Sequence, residues 1–419
     1  MRDLRLGIIG SGGRGAVLGA AVHAPDRGAR IVACCDVDAA VLRANRDAYG
    51  ADIVATRNYQ QLLACELDAV IVATPDFLHE EHTVAALRHG LTVFVEKPLA
   101  LTIDGCDRIL RTAVKNHARL YVGHNMRHMG FVQKMKELID DGAIGEVKAC
   151  WARHFVGNGG DYYFRDWHAD RRFSGSLLLQ KATHDFDVIH WLCGGSTRRV
   201  SAMGGLTVYG DVKHRLAPVR GPRRLAPPQV RLEVWPPKTQ RGLNHLIDVE
   251  DLSQVLMHLD NGVFATYSQC HYTPDYWRSY VVIGTEGRIE NFGNGDGGTS
   301  VQLWNQRRSG YHRRGDAVFK IPVKAGGHGG ADVAIMAEFC RFVRKSGTTA
   351  TSPLAARESV ATACAATKSL RMGGVALDVP RLAPSLAEDF TKLLKTKKPV
   401  NGAVQPAASR RRRNPLQAK

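Results

Sequence analysis

Over the first 125 residues, short apolar runs alternate with longer segments in which apolar positions recur every three or four residues. The runs Leu4–Ile9, Arg30–Cys35, Ile53–Thr56, Asp68–Ala73, Leu91–Val95 and Arg119–Gly123 predict six strands, several apolar enough to be buried on both faces of a parallel sheet. Between them, Ala16–His23, Asp38–Tyr49, Tyr59–Ala64, His79–His89 and Thr102–Asn116 predict helices. This alternation implies an α/β, doubly wound sheet. Beyond Asn125 the rhythm changes. After a helix at Gly130–Asp140 come alternating segments at Glu146–His154, Arg199–Leu206, Asp248–Leu259, Gly262–His271 and Tyr280–Thr285, with a hairpin signal at Asn261-Gly262. They predict an α+β region with an open, largely antiparallel sheet. Helical periodicity returns at Asp332–Lys345 and Ala355–Arg371.

Composition narrows the class. A chain of 419 residues with 44% hydrophobic and 23% charged content is long enough for two cores. No apolar run reaches bilayer length and Met1 leads straight into a strand, so a cytoplasmic protein without membrane partners is expected. The nine cysteines include no C-x-x-C, which argues against a disulfide framework or a thiolate zinc site. Histidine pairs such as His124/His128 and His184/His190 are not completed into a ligand set, so no metal is expected. The net charge of +17 is concentrated: residues 390–419 carry +9 and residues 207–245 carry +6, leaving +2 for everything else. Basicity therefore belongs to a tail and a proline- and arginine-rich surface excursion, and no specific nucleic-acid partner is expected.

Three stretches carry candidate chemistry. Gly10, Gly12 and Gly15 fit G-x-G-x-x-G directly after the first strand, with Gly13 and Arg14 between them, and Asp36 ends the second strand about twenty residues on. Such glycines allow a tight turn and close approach to a pyrophosphate, and the acid suits the adenosine ribose hydroxyls; with no basic residue until Arg43, NAD is favoured over NADP. A helix cap is the competing role for Asp36. Thr74, Pro75 and His79 follow the fourth strand, and Glu96, Lys97 and Pro98 follow the fifth, at the sheet end where a nicotinamide would lie.

Together with the segments at 73–82, 95–102, 141–147 and 174–194, these residues resemble the Gfo/Idh/MocA family, named for glucose–fructose oxidoreductase, inositol dehydrogenase and the rhizopine-catabolism protein. The resemblance, over about residues 4–380, implies an NAD-binding Rossmann domain (1–124) and an α/β substrate and oligomerisation domain (125–385); composition marks 395–419 as a basic tail expected to be disordered. It implies chemistry on a sugar or cyclitol, a dimer or tetramer, a cis Lys97-Pro98 bond, and Lys97 meeting substrate and nicotinamide. His184 occupies the position of the family's histidine, but Gln180 stands where many members carry an aspartate. Glutamine cannot exchange a proton usefully, so Lys97 is expected to stabilise the alkoxide and His184 to act as base, with Asp187 supporting it. Asn125, Arg127, Trp167, His168, Arg171, Lys181, Tyr272, Tyr276 and His328 are candidate substrate contacts. Two other functions are open: redox-neutral glycoside elimination or hydrolysis assisted by NAD, and a non-catalytic NAD- or sugar-binding regulator.

Overall fold

The computed structural model describes residues 2–157, 159–222, 235–295, 297–345 and 347–395. The expected tail lies outside these residues from 396 onward, as does the middle of the basic excursion.

Strands β1 (Leu4–Ile9), β2 (Ala29–Cys35), β3 (Val54–Thr56), β4 (Ala69–Val72), β5 (Thr92–Val95) and β6 (Leu120–Val122) form a parallel sheet in the order β3-β2-β1-β4-β5-β6. Every residue of β4 and β5 is buried, which accounts for their unbroken apolar runs. The winding reverses between β1 and β4, opening a crevice beyond the carboxyl ends. Register sets those ends level: Ile9 pairs with Cys35 and with Val72, and Val72 pairs with Val95. Gly10, Asp36, Ala73 and Glu96 therefore leave the sheet side by side. One covering helix arrives from far along the chain. Ala331–Lys345 sends Ile335, Met336, Phe339 and Phe342 into a core with Leu6, Ile8, Phe94 and Tyr121.

The second sheet contains β7 (Val147–Val156), β8 (Thr197–Gly205), β9 (Leu252–Leu259), β10 (Phe264–Cys270), β11 (Tyr276–Gly284), β12 (Arg288–Phe292), β13 (Ser300–Trp304), β14 (Ala317–Lys320) and β15 (Leu377–Asp378). Their order is β14-β13-β12-β11-β7-β10-β9-β8-β15; β7 and β10 run parallel and the other neighbours antiparallel. The hairpin at Asn261-Gly262 joins β9 to β10. Strands β12 to β15, of five residues or fewer, are not among the segments expected from the sequence.

The expected strand from Asp248 starts only at Leu252. The Asp251 carboxylate instead accepts the backbone N–H groups of Thr207, Val208 and Tyr209, pinning the start of the basic excursion. The excursion also differs from a plain surface loop in its described parts, since Tyr209, Val212 and Leu243 are buried with Val156, Phe164 and Leu177. The helix Thr183–Cys193 packs against β7 and the long helix Pro353–Arg371, and every residue of it except Trp191 is buried. An amphipathic helix would show a polar stripe; this one carries His184, Asp185, Asp187 and His190 inward.

Candidate active site

The glycine loop is shaped as the chemistry of a dinucleotide requires. Gly10 has φ +82°, and a Cβ there would lie 2.6 Å from the Thr74 nitrogen; one at Gly15 would lie 2.0 Å from the Gly10 carbonyl oxygen. At Gly13 it would meet nothing within 4 Å, so the loop is open on that side. The helix Gly13–Val22 begins without a side-chain cap or an acid in its first turn, leaving backbone N–H groups for a pyrophosphate. Asp36 accepts from Gly12 N at 3.1 Å and from Asp38 N at 3.1 Å. Asp38, bonded to Ala40 N, caps the next helix, so the cap role weighed for Asp36 is not the one it takes. These residues fit a dinucleotide, with a carboxylate where an adenosine ribose would sit.

Arg14 reaches out of this loop. Its Nε donates to Glu96 Oε1 at 2.7 Å and its Nη2 to Asp332 Oδ1 at 2.8 Å. Asp332 also accepts from Asn125 Nδ2 at 2.8 Å and lies 2.9 Å from Nδ1 of His328, which sits at φ +53°. Asn125 and His328, read as substrate contacts, are thus held to the carboxylate that anchors Arg14. His79 clamps two loops, with Nδ1 2.6 Å from the Pro98 carbonyl oxygen and Nε2 2.9 Å from that of Thr74. The Thr74 hydroxyl meets His82 Nδ1 at 3.2 Å, and Pro75 opens the short turn that carries Asp76.

Lys97 is joined to Pro98 by a cis peptide bond and points across to the second region, where its Nζ donates to the Gln180 carbonyl oxygen at 2.7 Å. His184 is buried with Nδ1 lacking any partner, and its ring lies edge-on to His124 at 5.9 Å. Burial, then the neighbouring charges of Lys97, His124, Arg278 and Lys181, hold His184 well below its ordinary pKa, so it is a neutral imidazole. Burial likewise draws Lys97 down to about 8, against the pull of Asp76. Lys181 is drawn down to about 7 by burial and then by Arg278. Lys97, Gln180, Lys181 and His184 are thereby gathered where the two regions meet.

Other expectations are redistributed. Arg127 donates from Nε and Nη2 to both oxygens of Asp187, at 2.7 and 2.6 Å, and from Nη1 to the Ala350 carbonyl, so its guanidinium is committed to the framework and not to substrate. Asp187 has His124 as its other partner at 3.2 Å and does not support His184 directly. Arg171 forms an outer ion pair with Asp248 at 3.0 Å, and the Tyr272 hydroxyl is shared with Thr207. Trp167 stacks on His168 at 3.7 Å and meets Phe77 edge-on at 5.8 Å, close to the turn after Pro75. His168 is oriented by Asp166 at 2.6 Å.

Two site residues went unread. Asp76 is buried beside Lys97, with Oδ2 unpartnered and its pKa raised by burial; its place directly after Thr74-Pro75 was the available signal. Arg278 on β11 donates to Asp185 Oδ1 at 3.1 Å, and a pair separated by 93 positions leaves no local pattern.

A parallel sheet in this strand order, a glycine loop at its switch point and a lysine at the end of β5 define a nicotinamide-dinucleotide oxidoreductase architecture. Residues 4–124 match the family described as "Oxidoreductase family, NAD-binding Rossmann fold" and residues 132–290 match the GFO/IDH/MocA C-terminal domain. The chain belongs to the Gfo/Idh/MocA oxidoreductase family, and its N-terminal region is an NAD-binding Rossmann fold. It is 35% identical over 208 residues to the 2,7-anhydro-N-acetylneuraminate hydratase of Mediterraneibacter gnavus, covering 49% of this chain and 53% of that one. It is 32% identical over 200 residues to an inositol 2-dehydrogenase of Klebsiella pneumoniae, covering 47% and 57%. The chain thus spans little more than half the length of each. A levoglucosan dehydrogenase solved in complex with NADH shares the fold, with TM-score 0.72 and 19% identity over 91% of this chain and 100% of that one.

Proposed function

We propose that this chain is an NAD-dependent oxidoreductase that transfers a hydride between the nicotinamide and a secondary hydroxyl of a sugar, sugar derivative or cyclitol. The observation carrying this reading is Lys97, held at the end of β5 with its Nζ against the Gln180 carbonyl and the neutral His184 four residues beyond Gln180. Bound NAD would supply the hydride acceptor. With a pKa drawn to about 8, Lys97 can take the hydroxyl proton near neutral pH and return it in the reverse direction, its charge meanwhile stabilising alkoxide character. His184, strongly biased to the neutral form, is a poor proton store, so the base role first expected of it passes to Lys97 and its ring positions the hydroxyl. Asp36 favours NAD, because a 2′-phosphate there would face a carboxylate while Arg14 is occupied by Glu96 and Asp332. Purified protein with NAD and a polyol panel should produce absorbance at the NADH wavelength; a folded, NAD-binding protein inert to the whole panel would overturn the reading.

Gln180 motivates a second reading, redox-neutral elimination or hydration with the cofactor recycled in place, and a relative named as a hydratase points the same way. Solvent deuterium entering the carbon framework without net NADH would select it.

For the assembly, the reading is a homo-oligomer formed through the open face of the second sheet, where Trp151, Met203, Leu256 and Phe264 are all exposed. Nine free cysteines suit a cytoplasmic setting, and no helix among the described residues is long and apolar enough to cross a membrane.

A further inference from the structure

The cations around the proposed reaction centre are not equally provided for. Lys97 has Asp76 and Glu96 as the acids acting on it. Arg278 has Asp185, bonded at 3.1 Å. Lys181 has no carboxylate of its own: among the described residues none lies within ion-pair distance, and the acid that it feels, Asp185, is spent elsewhere. Asp185 Oδ1 accepts from Arg278 and the Tyr280 hydroxyl, while its Oδ2 accepts from the Tyr267 hydroxyl and lies 3.3 Å from His154.

What surrounds Lys181 is aromatic. Its Nζ lies 5.4 Å from the ring centre of Tyr163 and 5.6 Å from that of Tyr276. Aromatic faces on two sides fix the direction of an ammonium without neutralising it. Lys97, attached through its own Nζ to Gln180, and Arg278 both repel it, and burial adds to the cost. His154, whose Nδ1 faces Asp185, and His271, whose ring nitrogens have no hydrogen-bond partner, also face this space and are neutral because burial depresses both. With its pKa near 7, Lys181 is divided between amine and ammonium at neutral pH, and an anion bound there would hold it as the ammonium.

We infer that Lys181 is the receptor for a carboxylate on the substrate, so that the substrate is an acidic sugar or cyclitol derivative such as a uronic or aldonic acid. The inference rests on the proposed reaction centre at Lys97 being where substrate binds. A monoanion matches the single unmatched ammonium. A phosphate would call for more donors than remain, since the Arg278 guanidinium is shared between Asp185 and the Tyr276 hydroxyl.

The test is calorimetric binding to the full chain loaded with NADH, using uronates and aldonates each paired with the uncharged parent sugar, and glucose 6-phosphate as a further probe. At least one acid should bind about tenfold or more tightly than its neutral partner, a preference of the size expected for a charge-assisted contact. Lys181→Met should abolish the preference and Lys181→Arg should keep part of it. No acid outbinding its parent, a preference surviving in folded Lys181→Met, or tighter binding of the sugar phosphate would each overturn the inference. Because binding is read without turnover, it is separable from the hydride-transfer reading: acid-selective binding with no NADH formed from NAD would refute that reading and leave the carboxylate receptor standing.

Discussion

The two sheets treat charge in opposite ways. In the parallel sheet the central strands β4 and β5 are buried throughout and uncharged, and the charged groups Asp36, Asp76, Glu96 and Lys97 stand just past the strand ends. In the second region charge lies inside the packing: Asp185 is enclosed by Arg278, Tyr267, Tyr280 and His154, and Asp187 by Arg127 and His124. Both carboxylates are held far below the ordinary range despite burial, because several donors converge on each. Groups at strand ends can be left incompletely satisfied and so remain available to a ligand. Groups within a closed network serve to fix a framework, and removing one partner strands another.

The sharpest way to break this contrast is at Lys97. Lys97→Met should lower turnover about 10²–10⁴-fold while NAD affinity and melting temperature stay near those of the parent; a large fall in melting temperature would place Lys97 with the framework instead. Arg278→Met should do the reverse, destabilising the fold by about 3–5 kcal/mol in denaturant titration, because it leaves Asp185 charged and underpaired. A smaller effect is expected for Gly15→Ala, where the added methyl collides with the Gly10 carbonyl: NAD binding by fluorescence titration should weaken by about 1–3 kcal/mol. Smallest is the pH response. The base form of Lys97 is needed for oxidation, so kcat/KM should rise about tenfold per pH unit below about 8 and level above it, whereas the reductive direction, which needs the ammonium, should fall above that pH. A flat oxidative profile would remove Lys97 as the base.

The same contrast explains what could be read from the chain alone. The parallel sheet was legible because its strands are mainly apolar runs and each site residue sits one or two positions beyond one, as Gly10, Asp36, Thr74 and Lys97 do. In the second region the outline of β7 to β11 was legible from alternation, but not the fate of individual polar residues. Arg127 looked like a substrate contact because a loop arginine carries no sign of its partner, and Asp187 lies 60 positions away. The helix Thr183–Cys193 disguised its burial by carrying four ionisable residues inward. Asp76 was recoverable from its motif, whereas Arg278 and Asp332 act through pairings that only the folded chain creates.

The helix Ala331–Lys345, which supplies both Asp332 and a block of apolar side chains to the first sheet, has a consequence for the order of events during synthesis. When the ribosome has made β6, all six parallel strands exist, yet the Leu6, Ile8, Phe94 and Tyr121 side still lacks its cover and Arg14 lacks one of its two anchors. At about 5–20 residues per second, the covering helix follows roughly 10–40 seconds later. During that interval the nascent sheet presents a bare apolar surface, which makes this stretch of translation the time when chaperone occupancy of the chain should be highest.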